Sequence, residues 1–336
     1  MHILVTGGAG YIGSHVVKQL LEETSHDVTI IDNLSTGHQA TLDTLEHIAL
    51  TSKNGDLRFY RTDLSNFVEV EKIFLANRFD AVMHFAASIV VPESVVNPLK
   101  YYMNNTVNTT NLIKLCNEYG VQKFIFSSTA AVYGEPEIVP VNETTPTVPI
   151  NPYGMSKLMS ERVLQDTADA NSAFHFVILR YFNVAGADIH NRIGQSFPNA
   201  THLIKVAAQT ALAQRGKISV FGTDYDTPDG TCIRDYIHVD DLASAHLRAL
   251  EYLSHGNRSD IFNCGYGHGF SVYEVIETMK KISSIDFTVE TSPRRSGDPA
   301  LLISDNTKIK NTLAWVPHYD DLALICKTAL EWEKNV

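Results

Sequence analysis

Cysteine is scarce in this sequence. Cys116, Cys232, Cys264 and Cys326 stand far apart, with no CxxC pair among them. That spacing excludes a disulfide framework and the common zinc arrangements, and it suits a reducing, cytoplasmic setting. Long apolar runs are missing too. Met1-His2-Ile3-Leu4-Val5 enters a strand pattern at once, without a charged leader, so neither a signal peptide nor a membrane span is expected. Excess positive charge is also lacking. A net charge of −11 argues against nucleic acid or an anionic membrane as partner, because both require a basic face. The 14 histidines contain no HExxH or comparable ligand pattern, so no metal site is expected.

What remains is an ordinary globular composition, 44% hydrophobic and 19% charged over 336 residues, enough for one large or two fused domains. The first half alternates short apolar runs with amphipathic ones. Residues 3–5, 28–31, 57–60, 81–85, 123–126 and 176–179 read as strands, with helical patterns at 15–23, 68–76 and 111–118 between them. Such alternation implies right-handed crossovers and a doubly wound α/β fold, a parallel sheet with helices on both faces. After about residue 185 the rhythm becomes more polar, with helices expected at 203–214, 240–253 and 271–281. The last opens on a capping box, Ser271 with Glu274. The expected division is a dinucleotide-binding domain at 1–185 and a smaller α/β substrate domain at 186–336. The polar stretch 38–56 carries no readable role.

Thr6-Gly7-Gly8-Ala9-Gly10-Tyr11-Ile12-Gly13 joins the first strand to the first helix. Gly7 permits a tight turn, Gly10 lets a pyrophosphate approach the backbone, and Gly13 lets the helix pack close. The helix N-terminus offers free N–H groups and a positive dipole to phosphate. Asp32, nineteen residues after Gly13, ends the second strand. A carboxylate there accepts ribose hydroxyls and repels a 2′-phosphate, which favours NAD over NADP in a Rossmann-type site. Asp63 and Phe85-Ala86-Ala87 reach the same sheet edge.

Asn151-Pro152-Tyr153-Gly154-Met155-Ser156-Lys157 reads as a capped helix start, with Tyr153 and Lys157 on one face. A phenol titrates near about 10. An adjacent ammonium favours phenolate and equips Tyr153 as a base.

These motifs resemble those of the extended short-chain dehydrogenase/reductase family. Four further stretches, Phe126–Gly134, Arg180–Asn183, Asp229–Val239 and Pro293–Asp298, resemble its UDP-galactose 4-epimerase branch over nearly the whole chain. The resemblance implies a homodimer that holds NAD and interconverts UDP-galactose and UDP-glucose. C4 would be oxidised, the 4-keto sugar turned, and the other face reduced. Tyr153 would be the base, Lys157 the ribose ligand and Thr129 the partner of the sugar hydroxyl. Tyr11 and Ile12 would lie on the pyrophosphate, and Asp32, Asn33, Leu34, Ser35, Thr36 and Gly37 around the adenosine. Asp63, Leu64, Phe85, Ala86, Ala87, Ser88, Ile89, Asn104, Ser127 and Phe182 would complete the cofactor shell. Arg234 and Arg295 would grip the diphosphate, with Asn183, His202, Leu203, Phe221, Asp298 and Leu302 also on the substrate.

Some positions depart from that pattern. Ile89 stands where some members have lysine, His202 where they have asparagine, and Lys205 where they have proline. Ala130-Ala131 replaces the Asp-Glu of the dehydratases, so the elimination machinery is absent. Leu302 falls where a bulky aromatic excludes an N-acetyl group at C2 and a small residue admits one, so weak tolerance of UDP-N-acetylhexosamine is expected. Alternatives are an epimerase acting on UDP-N-acetylhexosamine or UDP-uronate, or a non-catalytic NAD-binding regulator. Against the last stand Tyr153, Lys157 and Thr129, all present.

Overall fold

The computed structural model describes residues 1–197, 201–295 and 298–336. In chain order the first part runs β1 (His2–Thr6), α1 (Tyr11–Glu23), β2 (Asp27–Asp32), α2 (Gln39–Ser52), β3 (Leu57–Arg61), α3 (Phe67–Ala76) and β4 (Ala81–His84). Then come α4 (Val91–Val96), α5 (Pro98–Tyr101), a π-helical turn (Tyr102–Val107), α6 (Asn108–Glu118), β5 (Lys123–Thr129), a 3₁₀ turn (Ala130–Val132), α7 (Pro152–Ala170) and β6 (His175–Tyr181). The later part has β7 (Asn183–Ala185), α8 (Leu203–Ala211), β8 (Ile218–Phe221), β9 (Ile233–Arg234), β10 (Tyr236–His238), α9 (Val239–Ser254) and β11 (Asp260–Cys264). It closes with β12 (Phe270–Ser271), α10 (Val272–Ser283), β13 (Val289–Ser292), β14 (Leu301–Leu302), α11 (Thr307–Leu313) and α12 (Leu322–Glu333).

Seven parallel strands form the central sheet in the order β11-β6-β5-β4-β1-β2-β3. Side chains alternate across a strand, so each apolar run serves two cores. Ile3 and Val5 enter one hydrophobic cluster while Leu4 enters the other, and Ile125 likewise parts from Phe124 and Phe126. The chain reverses direction across the sheet between β1 and β4, and the crevice beyond their carboxyl ends is where such folds bind nucleotides.

Two expectations need correction. Residues 186–336 do not stand apart from the sheet: α9 packs on α1 and β11 extends the sheet beside β6. The layers of the first unit are incomplete without 239–264, because the face occupied by α1 needs a second helix and β6 would otherwise be an edge. The stretch 38–56 is mostly α2, which buries Thr41, Leu42, Leu45 and Ile48 against the α1 side of the core. Its three- and four-residue apolar spacing was hidden by flanking polar residues. The capping box of α10 is formed as expected, with Ser271 accepting from Glu274 N–H and Glu274 accepting from Ser271 N–H.

A buried polar cluster ties α1 to the later part of the chain. Lys18 donates to Asp188 (2.6 Å) and Asp240 (2.7 Å), and His15 Nδ1 lies 2.7 Å from Asp240. Against the opposite pull of burial, Arg192 and Lys18 hold Asp188, and His15 and Lys18 hold Asp240, well below the usual carboxylate range. Such a cluster adds little net stability but tolerates few alternative packings. It fastens α1 to α9 and to the loop that carries Asp188.

Candidate active site

The glycine turn is as tight as its sequence suggests. Gly7 adopts φ +74°, and a Cβ there would lie 2.6 Å from the Ala86 nitrogen. Its N–H donates to Ile31 O at 2.8 Å. Gly10 is the N-cap of α1 without a side-chain acceptor, and the first turn carries no acidic residue. Its N–H groups are therefore open to an anion. Gly13 lets the helix close on the loop that leaves β1: a Cβ there would meet Gly7 O at 2.3 Å. The Tyr11 hydroxyl donates to Gly186 O at 2.6 Å, pinning the loop to the later lobe, while Ile12 packs against the core.

Asp32 sits at the carboxyl end of β2, its oxygens accepting from Ala9 N–H (3.0 Å) and Leu34 N–H (2.8 Å). Burial pushes its carboxyl up, and those two donors oppose the shift. Asn33 donates to Asp63 at 2.6 Å, and Gly37 comes so near Ala9 that a Cβ would lie 2.9 Å from the alanine Cβ. Residues 32–37 and Asp63 thus gather beside the glycine turn, with Ser35 and Thr36 exposed. Leu34 takes the left-handed φ of +58°, which no sequence signal announced. Leu64 is half-buried beyond β3.

Phe85 N–H donates to Thr6 O at 2.9 Å, carrying Phe85, Ala86 and Ala87 over the same edge. Asn104 donates to Ser88 Oγ at 3.1 Å. Its neighbour Asn105, which the sequence did not single out, does more. Fully buried, Asn105 accepts from Ser88 N–H (2.8 Å) and donates to Ser88 O (2.9 Å) and Ser156 Oγ (3.0 Å). The π-helical turn aims both asparagines inward, a common use of that irregularity. Ile89 is 45% exposed and offers no charge to this edge.

Asn151 caps α7 by accepting from Gly154 N–H at 2.9 Å, with Pro152 in the first turn. Gly154 lets the helix press on the 3₁₀ turn; a Cβ there would lie 2.6 Å from Ala131 O. That contact brings Tyr153 to Thr129. Burial pushes the Tyr153 phenol up, and the neighbouring Thr129 hydroxyl works against it. Lys157 lies one turn further along α7. Its Nζ donates to Ser127 O at 2.7 Å and lies 4.9 Å from the centre of the Phe126 ring. Burial pushes this ammonium down to about 7, opposed by Glu161.

In the later lobe, Asn183 N–H donates to Asp235 O at 2.9 Å. With His202 and Leu203 it lines a cleft that also includes Lys205, Trp332 and Glu333. The His202–Gln195 contact (2.8 Å) and the Lys205–Glu333 ion pair (2.6 Å) fix this wall. Arg234 reaches the carboxylate of Asp298 and donates to Ile233 O at 2.8 Å. Arg295 stacks on Phe221, its guanidinium carbon 3.8 Å from the ring centre, whereas the adjacent Arg294 pairs with Asp224 at 2.7 Å. Ser296 and Gly297 of the same motif lie outside the described residues. Leu302 pairs in register with Arg234 and shares a buried cluster with Ala130 and Phe182.

The acids of the Asp229–Val239 stretch and its continuation are structural. Asp235 collects Tyr266 N–H, Gly267 N–H and the Ser304 hydroxyl, holding three loops around Arg234. Among the described residues no three His, Cys, Asp or Glu side chains gather as a metal site, and no helix is long and apolar enough to cross a membrane.

The residues present fit NAD: glycines that a Cβ would block, an open helix N-terminus, and a carboxylate at the second strand's end. A doubly wound sheet with this turn and a Tyr–Lys pair beside it defines a nicotinamide-dependent enzyme acting at a carbinol or carbonyl carbon. The chain belongs to the NAD dependent epimerase/dehydratase family, whose model matches residues 3–265. It is 51% identical over 334 residues to a UDP-glucose 4-epimerase of Azospirillum brasilense, covering 99% of this chain and 92% of that one. The solved UDP-Glc/GlcNAc 4-epimerase of Campylobacter jejuni is 59% identical with a TM-score of 0.87, over 100% of this chain and 99% of that one. A UDP-glucose-4-epimerase of Stenotrophomonas maltophila, solved with NAD and formylated UDP-arabinopyranose, is 36% identical with a TM-score of 0.94, over 100% and 98%.

Proposed function

We propose that this protein interconverts UDP-galactose and UDP-glucose by oxidation and opposite-face reduction at C4. The observation that carries the reading is that Gly154 presses the start of α7 onto the 3₁₀ turn after Thr129, setting Tyr153 beside that turn with Lys157 one helical turn on. NAD, when bound, supplies the oxidant and then the reductant for C4. Tyr153 removes the C4 hydroxyl proton and later returns one, while Thr129 holds the same oxygen. Lys157 contributes the positive charge that a buried phenol needs in order to give up its proton. Arg234 and Arg295 grip the diphosphate, with Asn183, His202 and Leu203 against the uridine. Anchoring at the nucleotide leaves the hexose free to turn about its linkage, which inversion requires.

A second reading, activity on UDP-N-acetylhexosamine as well, is supported by the 59% identity to the UDP-Glc/GlcNAc enzyme and by Leu302 in place of a bulky aromatic. Incubated separately with UDP-galactose and UDP-GlcNAc, the protein should bring both to epimer mixtures, UDP-GlcNAc more slowly. Leu302→Tyr should cut the second activity by roughly 100-fold, a loss in the range set by pocket sterics, and largely spare the first. No epimer formed from UDP-galactose would dismiss the main reading. Equal losses on both sugars would dismiss the gate.

A homodimer is part of the proposal. Val96, Leu99, Met103 and Val107 run along α4, α5 and the π-helical turn, with Met159 of the adjacent α7, all exposed. A contiguous apolar stripe of this kind marks a protein interface. Leu99→Glu with Met103→Glu should convert a dimer to a monomer in analytical ultracentrifugation; a wild-type monomer would end the idea. A cytoplasmic setting is likewise proposed, supported by four buried, free cysteines.

A further inference from the structure

Tyr153, Lys157 and Glu161 stand at i, i+4 and i+8 of α7 and share one face. Glu161 is fully buried yet fully engaged. It accepts from Arg180 Nη2 at 2.6 Å, from Arg180 Nε at 3.1 Å and from the Ser128 hydroxyl. Arg180 also donates to the Tyr133 hydroxyl at 3.0 Å, and Tyr133 donates to Asn263 at 2.6 Å. Asn263 in turn donates to Val141 O at 2.9 Å. Ser128 precedes Thr129 and Tyr133 follows the 3₁₀ turn, so this network grips both ends of the segment that presents Thr129.

We propose that Glu161 is a positioning residue for the epimerase reaction: clamped by Arg180 and Ser128, it fixes the Thr129 turn against the catalytic helix and sets the field along the helix face that carries Lys157. The inference rests on the reading given above. A buried carboxylate–guanidinium pair is a weak source of stability, since apolar groups of equal volume often serve as well. Its placement one turn from a buried ammonium gives it a different use. Around Lys157 the titratable groups are few. Tyr153 and Glu161 lie on its own helix, His84 on β4 and Arg180 on β6. His84 is neutral, pushed down to about 3 by burial and pinned between Thr6 (2.6 Å) and Thr109 (2.7 Å). Arg180 has both ends of its guanidinium occupied. Glu161, one helical turn on, is the anion whose field opposes the burial that pushes Lys157 down to about 7.

The two partners should act with opposite sign. Glu161→Gln removes the anion and strands a cation, so Lys157 loses its proton at lower pH. The alkaline limb of kcat should move down by about one pH unit, leaving roughly tenfold less activity above it. Arg180→Met frees the carboxylate for Lys157, and the limb should move up. The same two shifts should appear without turnover in the Nζ titration of ¹⁵N-lysine-labelled protein, assigned by Lys157→Met. A purely structural pair would lower the melting temperature of both variants and shift neither profile, or shift both alike; either result overturns the inference. If Glu161→Gln alone fails to fold, Glu161→Gln with Arg180→Met leaves no stranded charge and should show a smaller downward shift; an unmoved limb there also overturns it. If the wild type epimerises nothing, the epimerase reading fails, while the lysine titration still decides this one.

Discussion

Tyr153→Phe should reduce turnover of UDP-galactose by roughly 10³-fold, within the span that a positioned acid–base group contributes. The phenol oxygen is the atom lost, and its neighbour Thr129 cannot replace it: an aliphatic hydroxyl left there is a far weaker acid than a phenol. Fold and cofactor should survive, because the ring itself still packs edge-on to Tyr101, with centroids 6.3 Å apart. The measurement is the initial rate alongside the melting temperature and the bound nucleotide per chain. Near-normal turnover in a stable variant would remove Tyr153 as the base. The buried phenol is pushed up from its ordinary value, so the acidic limb of the wild-type profile should report when the Lys157 charge and the bound cofactor together bring it down. In Tyr153→Phe that limb should vanish from whatever residual rate remains.

Gly7→Ala should have the second large effect, on cofactor retention rather than on chemistry. Two costs coincide at this position. A φ of +74° strains any residue with a Cβ, by about 1–2 kcal/mol. The added carbon would also sit 2.6 Å from the Ala86 nitrogen and 2.9 Å from its Cα, both backbone atoms that cannot swing away. Relieving that contact moves β4's end away from the glycine turn, opening the crevice the nucleotide spans. We expect purified Gly7→Ala to carry less than about a tenth of the wild-type cofactor, a change that needs only about 1.4 kcal/mol of lost affinity. Gly120 provides the control. It has φ +72°, but a Cβ there meets nothing within 4 Å, so Gly120→Ala pays the backbone strain alone and should keep its cofactor. Equal cofactor content in all three proteins would show that the close approach at Ala86 is not what shapes the site.

Much of the site was legible because its chemistry is local. The glycine turn, Asp32 and the Tyr153–Lys157 spacing each depend on a few consecutive residues and on helix or strand geometry, and the structure brings them to one sheet edge. The Asn151 cap and the Ser271–Glu274 box were readable for the same reason. What escaped were features made by residues remote in sequence. Nothing near Asp260 announces that it will pair beside β6, and α9 carries no mark of its seat on α1. The amphipathic spacing of α2 was concealed by polar neighbours. Asn105 looks no different from Asn104 until the π-helical turn rotates it into the core.

The identity of the ammonium's partners illustrates the division most directly. Sequence spacing put Lys157 on the same face as Tyr153, and helix geometry alone suffices for that. Only the packed structure decided that its Nζ reaches the Ser127 carbonyl, that the ring beneath it is Phe126, and that Arg180 clamps Glu161 one turn further along the helix. Periodicity and short motifs, then, determined the kind of sheet, the glycine turn and the shared helix face of Tyr153 and Lys157, since each is encoded within a turn or two of chain. Burial and long-range contact decided the charges of those groups and the meeting of the two lobes. Desolvation and Coulomb energies depend on what surrounds an atom in space, and a linear order of residues does not specify that.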